Sequence, residues 1–336
     1  MSRYTILLLV SLLASFAVPL LLGGGEALRG LLQTPWTVIA AGVGLSVVSW
    51  LLNALRSYVL LHGLGLPLGF GRAVAVTVGT ECLGRATPAG AGAPVAFALL
   101  LRPCGVSSAR AGALFALDQF IDLILFTLLL PMIVLLALRD ADHLLPAWIV
   151  LGSGLSLGLG VALALLMGWH HRRVLRWTGG LLGRLRVADA SRWRLGRWSL
   201  RFRDTLRAIG RLPRWRLALV LAACCAHWLV RYTILFVVIV GLGGYVPWPQ
   251  LFLVQMAALG IGQATMLPGG SGGTEASISL LLAPWLPAGT LAASILAWRL
   301  LTFHGYLLIG APVFLWLWRR GLVGPAAPSA VVASGG

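Results

Sequence analysis

Six ionisable side chains, Glu81, Arg85, Asp118, Asp122, Glu275 and Arg299, stand inside stretches that are otherwise almost wholly apolar. At membrane depth such groups cost roughly 3 kcal/mol each unless they are paired or wet, which makes them functional candidates by default. Asp118 and Asp122 are four residues apart and share one helical face. Glu275 can pair with Arg299, and Arg85 with Asp118 or Glu81. Such a set can bind a charged headgroup, or it can be a structural ion-pair network. Two glycine stretches lie beside these residues: TPAGAGAPVAFALLL at 87–101 and LPGGSGGTEASISLL at 267–281. Beyond the second break a half-helix is expected to begin near Gly273 or Thr274. Its free N–H groups and positive dipole end suit an anion such as phosphate, and glycine lets a ligand approach the backbone closely. Pro88, Gly90, Gly92, Pro268, Gly269, Gly270, Gly272 and Gly273 therefore join the candidate binding residues. The alternative is a kink that packs two helices tightly.

The elements that must position these residues are membrane helices. Of 336 residues 59% are hydrophobic and only 10% charged, where a soluble domain usually has about a quarter charged. Residues 4–22, 36–61, 110–138, 147–169, 217–241 and 290–318 form six apolar runs, near the roughly 20 residues a bilayer needs. At an offset of 180, Pro88 meets Pro268, Gly90 meets Gly270 and Gly92 meets Gly272. The same offset carries run 36–61 onto 216–241 and 110–137 onto 290–317. Three crossings separate the two glycine stretches, an odd number, so the halves are inverted as in many transporters. The expected fold is an all-α polytopic membrane protein with six spanning helices and two re-entrant helical hairpins, about 72–101 and 251–283. A helix break at depth is tolerated where protein or a watery cavity satisfies its backbone. The domain reading is a single transmembrane domain, 1–323, with repeat one at about 1–138 and repeat two at about 147–320. An Arg-rich cytoplasmic loop, 170–216, lies within it, and 324–336 form a disordered tail.

The formal charge of +17 raises nucleic acid as a partner, but the distribution of the arginines argues against it. Fourteen of 26 basic residues lie in 172–216 with only Asp189 and Asp204 among them. Short basic loops stay cytoplasmic, which places both termini inside and the chain in the plasma (inner) membrane. Arg56 and Arg231 are expected to snorkel towards the cytosolic surface or its cavity. Trp177, Trp193, Trp198 and Trp215 interleave with the loop arginines, a pattern for an amphipathic segment on anionic headgroups or for a solvated loop that merely fixes topology. The first run is read as an uncleaved helix, with a signal peptide as its rival. Cys82, Cys104, Cys224 and Cys225 lack metal-ligand spacing, and no metal or cofactor is expected. His227 and His304 read as satisfied interior histidines, and Gly154 with Gly158 as a packing pair.

LPGGSGGTEASISLLL followed by LAASILAWRLLTFHGYLLIGAP resembles the signature of the lysylphosphatidylglycerol synthase transmembrane region, a family of flippase-like membrane proteins. LGRATPAGAGAPVAFALLLRPCGVSSARAGALFALDQFIDLILF is similar to its first-half motif, and the resemblance covers about 4–320. It implies translocation of a lipid: aminoacylated phosphatidylglycerol where a soluble synthase domain is attached, isoprenoid-linked sugar lipids or hopanoids elsewhere. No such synthase domain is expected here, 18 residues remaining after Trp318. The sequence departs from the family pattern at Ala93–Pro94 and at Asp118–Gln119. The expected function is a lipid transporter or flippase, with Arg85, Arg299 and the half-helix ends on the lipid phosphate. Glu275, Asp118 and Asp122 would hold the rest of the headgroup. Alternatives are a membrane-embedded lipid-modifying enzyme, for which no HExxH or GxSxG motif is present, and a non-catalytic partner of a lipid-synthesis enzyme.

Overall fold

The computed structural model describes residues 3–66, 68–137, 151–152, 154–155, 158–162 and 189–323. Most of the expected span 147–169, residues 170–188 of the Arg-rich loop and the tail 324–336 lie outside the described residues. Eleven α-helices are numbered here: α1 (Arg3–Leu32), α2 (Trp36–Gly63), α3 (Phe70–Arg85), α4 (Gly92–Leu101), α5 (Ser108–Ala137), α6 (Asp189–Gly210), α7 (Arg214–Gly241), α8 (Trp248–Ala264), α9 (Gly273–Leu282), α10 (Ala288–Arg299) and α11 (Gly305–Val323). A π-helical turn, Leu300–His304, joins α10 to α11. No β-strand occurs among the described residues, and this is a multi-pass membrane protein. Among the described residues, five stretches are long and apolar enough to cross a membrane: Ile6–Leu32, Trp36–Gly63, Ser108–Ala137, Arg214–Gly241 and Ala288–Arg320.

The repeat is visible in how elements begin and end. Pro35 and Pro213 stand at the N-caps of α2 and α7, where a residue without an N–H and with fixed φ starts a helix at no cost. Both helices close on Gly-Leu-Gly, with Gly65 (φ 70°) and Gly243 (φ 81°) in the left-handed region, a common helix stop. These ends correspond at an offset of 178, not 180. The second hairpin makes up the difference: α8 has 17 residues to the 16 of α3, and three residues rather than two lead from the arm to the proline.

Two apolar clusters hold the fold. One gathers Leu60, Leu61, Val76, Phe97, Leu101 and Leu114 around the first hairpin. The other gathers Ile234, Leu235, Leu251, Val254, Ile278 and Ile295 around the second. The long helices α2 and α7 pack on each other between them, while α1 lies along α10. That contact is close: a Cβ on Gly23 would stand 2.4 Å from the Ala292 methyl.

Two expectations change. The first span does not stop near residue 22; α1 continues to Leu32 through a kink at Gly24 (φ 53°, ψ −141°), because the apolar face against α10 is still being buried there. The described part of the Arg-rich loop is helical, and α6 docks on α5. Trp198 lies over Gly112, where a Cβ would be 3.0 Å from its ring, and Ile209 is buried in the first cluster.

Candidate functional site

The two proline-glycine turns meet. Pro88 and Pro268 form an isolated antiparallel backbone bridge, so the tips of the two hairpins touch. The second half-helix starts where expected, α9 at Gly273, and its counterpart α4 starts at Gly92. Gly269, Gly270 and Gly272 all have positive φ, a conformation that costs a residue with a Cβ about 1–2 kcal/mol. The breaks are real chain reversals.

Their N–H groups, however, are largely occupied. The Gly92 N–H donates to Thr87 Oγ1 at 2.7 Å, and the Thr274 N–H to the Gly270 carbonyl at 3.0 Å. A Cβ on Gly272 would point at Ala14 of α1. The second half-helix thus starts against α1, and the charged groups that face the space between the hairpins are side chains.

Those side chains surround a cavity of about 620 Å³ between the two hairpins, walled by α2, α5, α7 and α10. Of the candidate residues, Arg85, Gly90, Asp118, Asp122, Gly269 and Arg299 line it, whereas Pro88, Gly92, Pro268, Gly270, Gly272, Gly273 and Glu275 do not. The non-lining residues shape the turns or stand behind the wall.

Three ion-pair groups organise the charge. Glu275, fully buried on the first turn of α9, lies 2.7 Å from Arg299 Nε. The contact is off the N–H axis, so it acts through charge more than as an aligned hydrogen bond. Arg299 Nη1 also donates to the Gly269 carbonyl at 3.2 Å, tying α10 to the second turn. Arg85 Nη2 donates to Glu81 Oε2 at 2.8 Å, four residues back on α3. Asp118 and Asp122 both bind Arg56, which is 1% exposed. This keeps Arg56 at the cavity, one of the two places expected for it, rather than at the cytosolic surface. Two carboxylates on one face of α5 give its guanidinium a better partner than interfacial water, and that double contact fixes it on α2.

The remaining polar groups complete the wall. Asp122 also accepts from Trp228 Nε1 at 2.9 Å and contacts Cys224 Sγ at 3.1 Å. His227 is satisfied by Ser49, its Nδ1 lying 2.8 Å from that residue's carbonyl oxygen. His304 lies 3.2 Å from both the Arg299 carbonyl and Ser15 Oγ. Both histidines are interior hydrogen-bonding groups, as their setting implied. The π turn that His304 closes presents Arg299 and Thr302 to the cavity together; such bulges are frequent at functional sites.

Sequence reasoning missed the roles of Arg231 and Tyr306. The Arg85 guanidinium stands 4.1 Å from the centre of the Tyr306 ring and the Arg231 guanidinium 5.7 Å from it. The available signal was Arg231 itself, a charge in the middle of an apolar run without a nearby acid in sequence.

The description "Lysylphosphatidylglycerol synthase TM region" matches residues 7–310, nearly the whole described fold. A relative described as "UPF0104 membrane protein" from Archaeoglobus fulgidus is 23% identical over 294 residues, covering 82% of this chain and 85% of that one.

Proposed function

The chain belongs to the lysylphosphatidylglycerol synthase TM region family, and from that premise we propose that it is a lipid transporter or flippase. Its substrate is a phospholipid or a polyprenyl- or hopanoid-type lipid. The headgroup passes through the central cavity while the acyl or prenyl chains stay in the bilayer. The carrying observation is the cavity of about 620 Å³ whose charged wall lies between two mutually touching hairpin turns. A folded protein does not leave this many arginines and carboxylates around a void at apolar depth without a polar occupant to use them.

Both hairpins are read as re-entrant, with their turns at the bilayer middle and the halves inverted. The arms are short: α4 and α9 have ten residues each, or about 15 Å at 1.5 Å per residue, half the hydrocarbon thickness of about 30 Å. The abundance of arginine in and around α6 supports cytoplasmic termini in the plasma membrane, with α6 against anionic headgroups. We read the protein as non-enzymatic, because Asp118 and Asp122 are engaged by Arg56 rather than poised as acid and base.

The test is lipid movement in proteoliposomes. Purified protein is expected to accelerate translocation of at least one fluorescent lipid among anionic, aminoacylated and polyprenyl-phosphate types. If all three cross no faster than in protein-free vesicles, the transport reading fails.

A further inference from the structure

We infer that Arg231, with Arg85 and Tyr306, forms a subsite for the phosphate of an anionic lipid headgroup. This rests on the transport reading and narrows its substrate.

The argument is one of charge partners. Four guanidiniums line the cavity, those of Arg56, Arg85, Arg231 and Arg299, together with the carboxylates of Glu81, Asp118 and Asp122. Each of those acids is taken: Glu81 by Arg85, and Asp118 and Asp122 by Arg56. Arg299 is neutralised from behind the wall by Glu275. Arg231 alone has no carboxylate within 4 Å among the described residues. Its contacts are the faces of Trp228 at 5.6 Å and Tyr306 at 5.7 Å, and Nη1 is 3.5 Å from the Tyr306 hydroxyl. Arg231 is therefore the one lining guanidinium without an ion-pair partner among the described residues, and it shares the Tyr306 ring with the Arg85 guanidinium.

The unused hydrogen-bonding capacity has the same sign. Buried atoms on lining residues that lack a partner include Arg85 Nε, Arg299 Nη2, and the hydroxyls of Thr77 and Thr80 on the same helix as Arg85. The guanidinium nitrogens are donors, and the threonine hydroxyls can donate as well as accept. Buried donors without acceptors are costly. A phosphodiester, with its single negative charge and two non-bridging oxygens, supplies what the site lacks, and guanidinium forks match its geometry.

The experiment uses the full-length protein, wild type, Arg231→Gln and Arg231→Lys, each checked for monodispersity and melting temperature in the same detergent. Arg231 has no ion-pair partner to strand, so both variants are expected to fold. In proteoliposomes the wild type should move fluorescent phosphatidylglycerol faster than it crosses protein-free vesicles. Arg231→Gln should lose about tenfold in phosphatidylglycerol transport, and Arg231→Lys should retain part of it, the scale of one charge-assisted contact. In parallel, short-chain phosphatidylglycerol and inorganic phosphate are tested for raising the melting temperature. A rise with the lipid that exceeds the rise with phosphate, and that disappears in Arg231→Gln, supports the subsite even if no transport is seen, in which case the transport reading alone fails. Wild-type transport and unchanged stabilisation in Arg231→Gln overturn the subsite while leaving transport intact. Arg231-dependent stabilisation by inorganic phosphate equal to that by the lipid overturns the lipid assignment in favour of a soluble phosphate compound.

Discussion

Pro88 and Pro268, 180 residues apart, oppose each other in an antiparallel backbone bridge. Each is the first fixed point of its hairpin turn, and each is followed by glycines that reverse the chain. The bridge brings the tips of the two hairpins together at these residues. It also explains why the cavity lies where it does, since both hairpins contribute their inner arms and turn residues to one wall.

The first prediction concerns that contact. Opposed residues in an antiparallel bridge have Cα atoms roughly 4.5–5.5 Å apart, within the range a disulfide spans. In a background with Cys82, Cys104, Cys224 and Cys225 replaced by alanine or serine, Pro88→Cys with Pro268→Cys should cross-link on oxidation. A protease site placed between the repeats would report it as two fragments that stay together until reduced. Failure to cross-link in the folded protein would mean that the hairpin tips are not adjacent.

A second prediction separates backbone strain from packing. Gly90 and Gly269 both have positive φ, 75° and 64°. A Cβ on Gly90 meets nothing within 4 Å, whereas one on Gly269 would lie 2.1 Å from Phe303 Cε2. Gly90→Ala should therefore lose only about 1–2 kcal/mol from the left-handed conformation. Gly269→Ala should be much more damaging, and adding Phe303→Ala should recover part of the loss. Melting temperatures in one detergent measure all three. Equal damage at the two glycines would refute the Phe303 contact.

Arg56 gives a third. It is 1% exposed and engages both Asp118 and Asp122. Removing it leaves two partly exposed carboxylates facing each other without their counter-charge, and breaking a buried pair typically costs about 3–5 kcal/mol. Arg56→Gln should thus destabilise more than Asp118→Asn, which leaves the guanidinium its contact with Asp122. Adding Asp118→Asn to Arg56→Gln should restore some stability. Thermal unfolding that ranks Asp118→Asn as the more harmful would contradict the double engagement.

Much of this arrangement was legible in the residues. Pro-Gly-rich breaks inside apolar runs can hardly be anything but helix interruptions, and α4 and α9 start at the glycines that announced them. The Glu275–Arg299 pair was readable too, because a charge at depth demands a partner and few were available. Other partners were not readable. Whether Arg56 meets Asp118 or reaches the surface depends on how α2 is rotated against α5, and rotation is set by packing that no local pattern encodes. The grouping of Arg231 with Arg85 at Tyr306 joins α7, α3 and α11, three elements whose contacts are all long-range. The pattern also overstated the half-helix ends as anion sites, since the side chain of Thr87 and the Gly270 carbonyl, which take up those N–H groups, look like ordinary turn residues in sequence.

The last prediction distinguishes what Glu275 and Arg299 do. Glu275 is fully buried and off the cavity, while Arg299 faces the cavity and holds the Gly269 carbonyl. Glu275 therefore acts through Arg299, as its counter-charge and anchor. Glu275→Gln alone strands a buried guanidinium, and Arg299→Gln alone strands a buried carboxylate; each should lose about 3–5 kcal/mol. Glu275→Gln combined with Arg299→Gln removes both charges and should recover most of the melting temperature. Transport should not return with it, because the cavity has lost a donor and the second turn its tie to α10. A double variant that folds and transports at the wild-type rate would assign the pair to stability alone. The exchanged pair, Glu275→Arg with Arg299→Glu, sharpens the distinction: it keeps a charge pair but turns a carboxylate towards the cavity. Normal transport by that protein would remove Arg299 from the headgroup site.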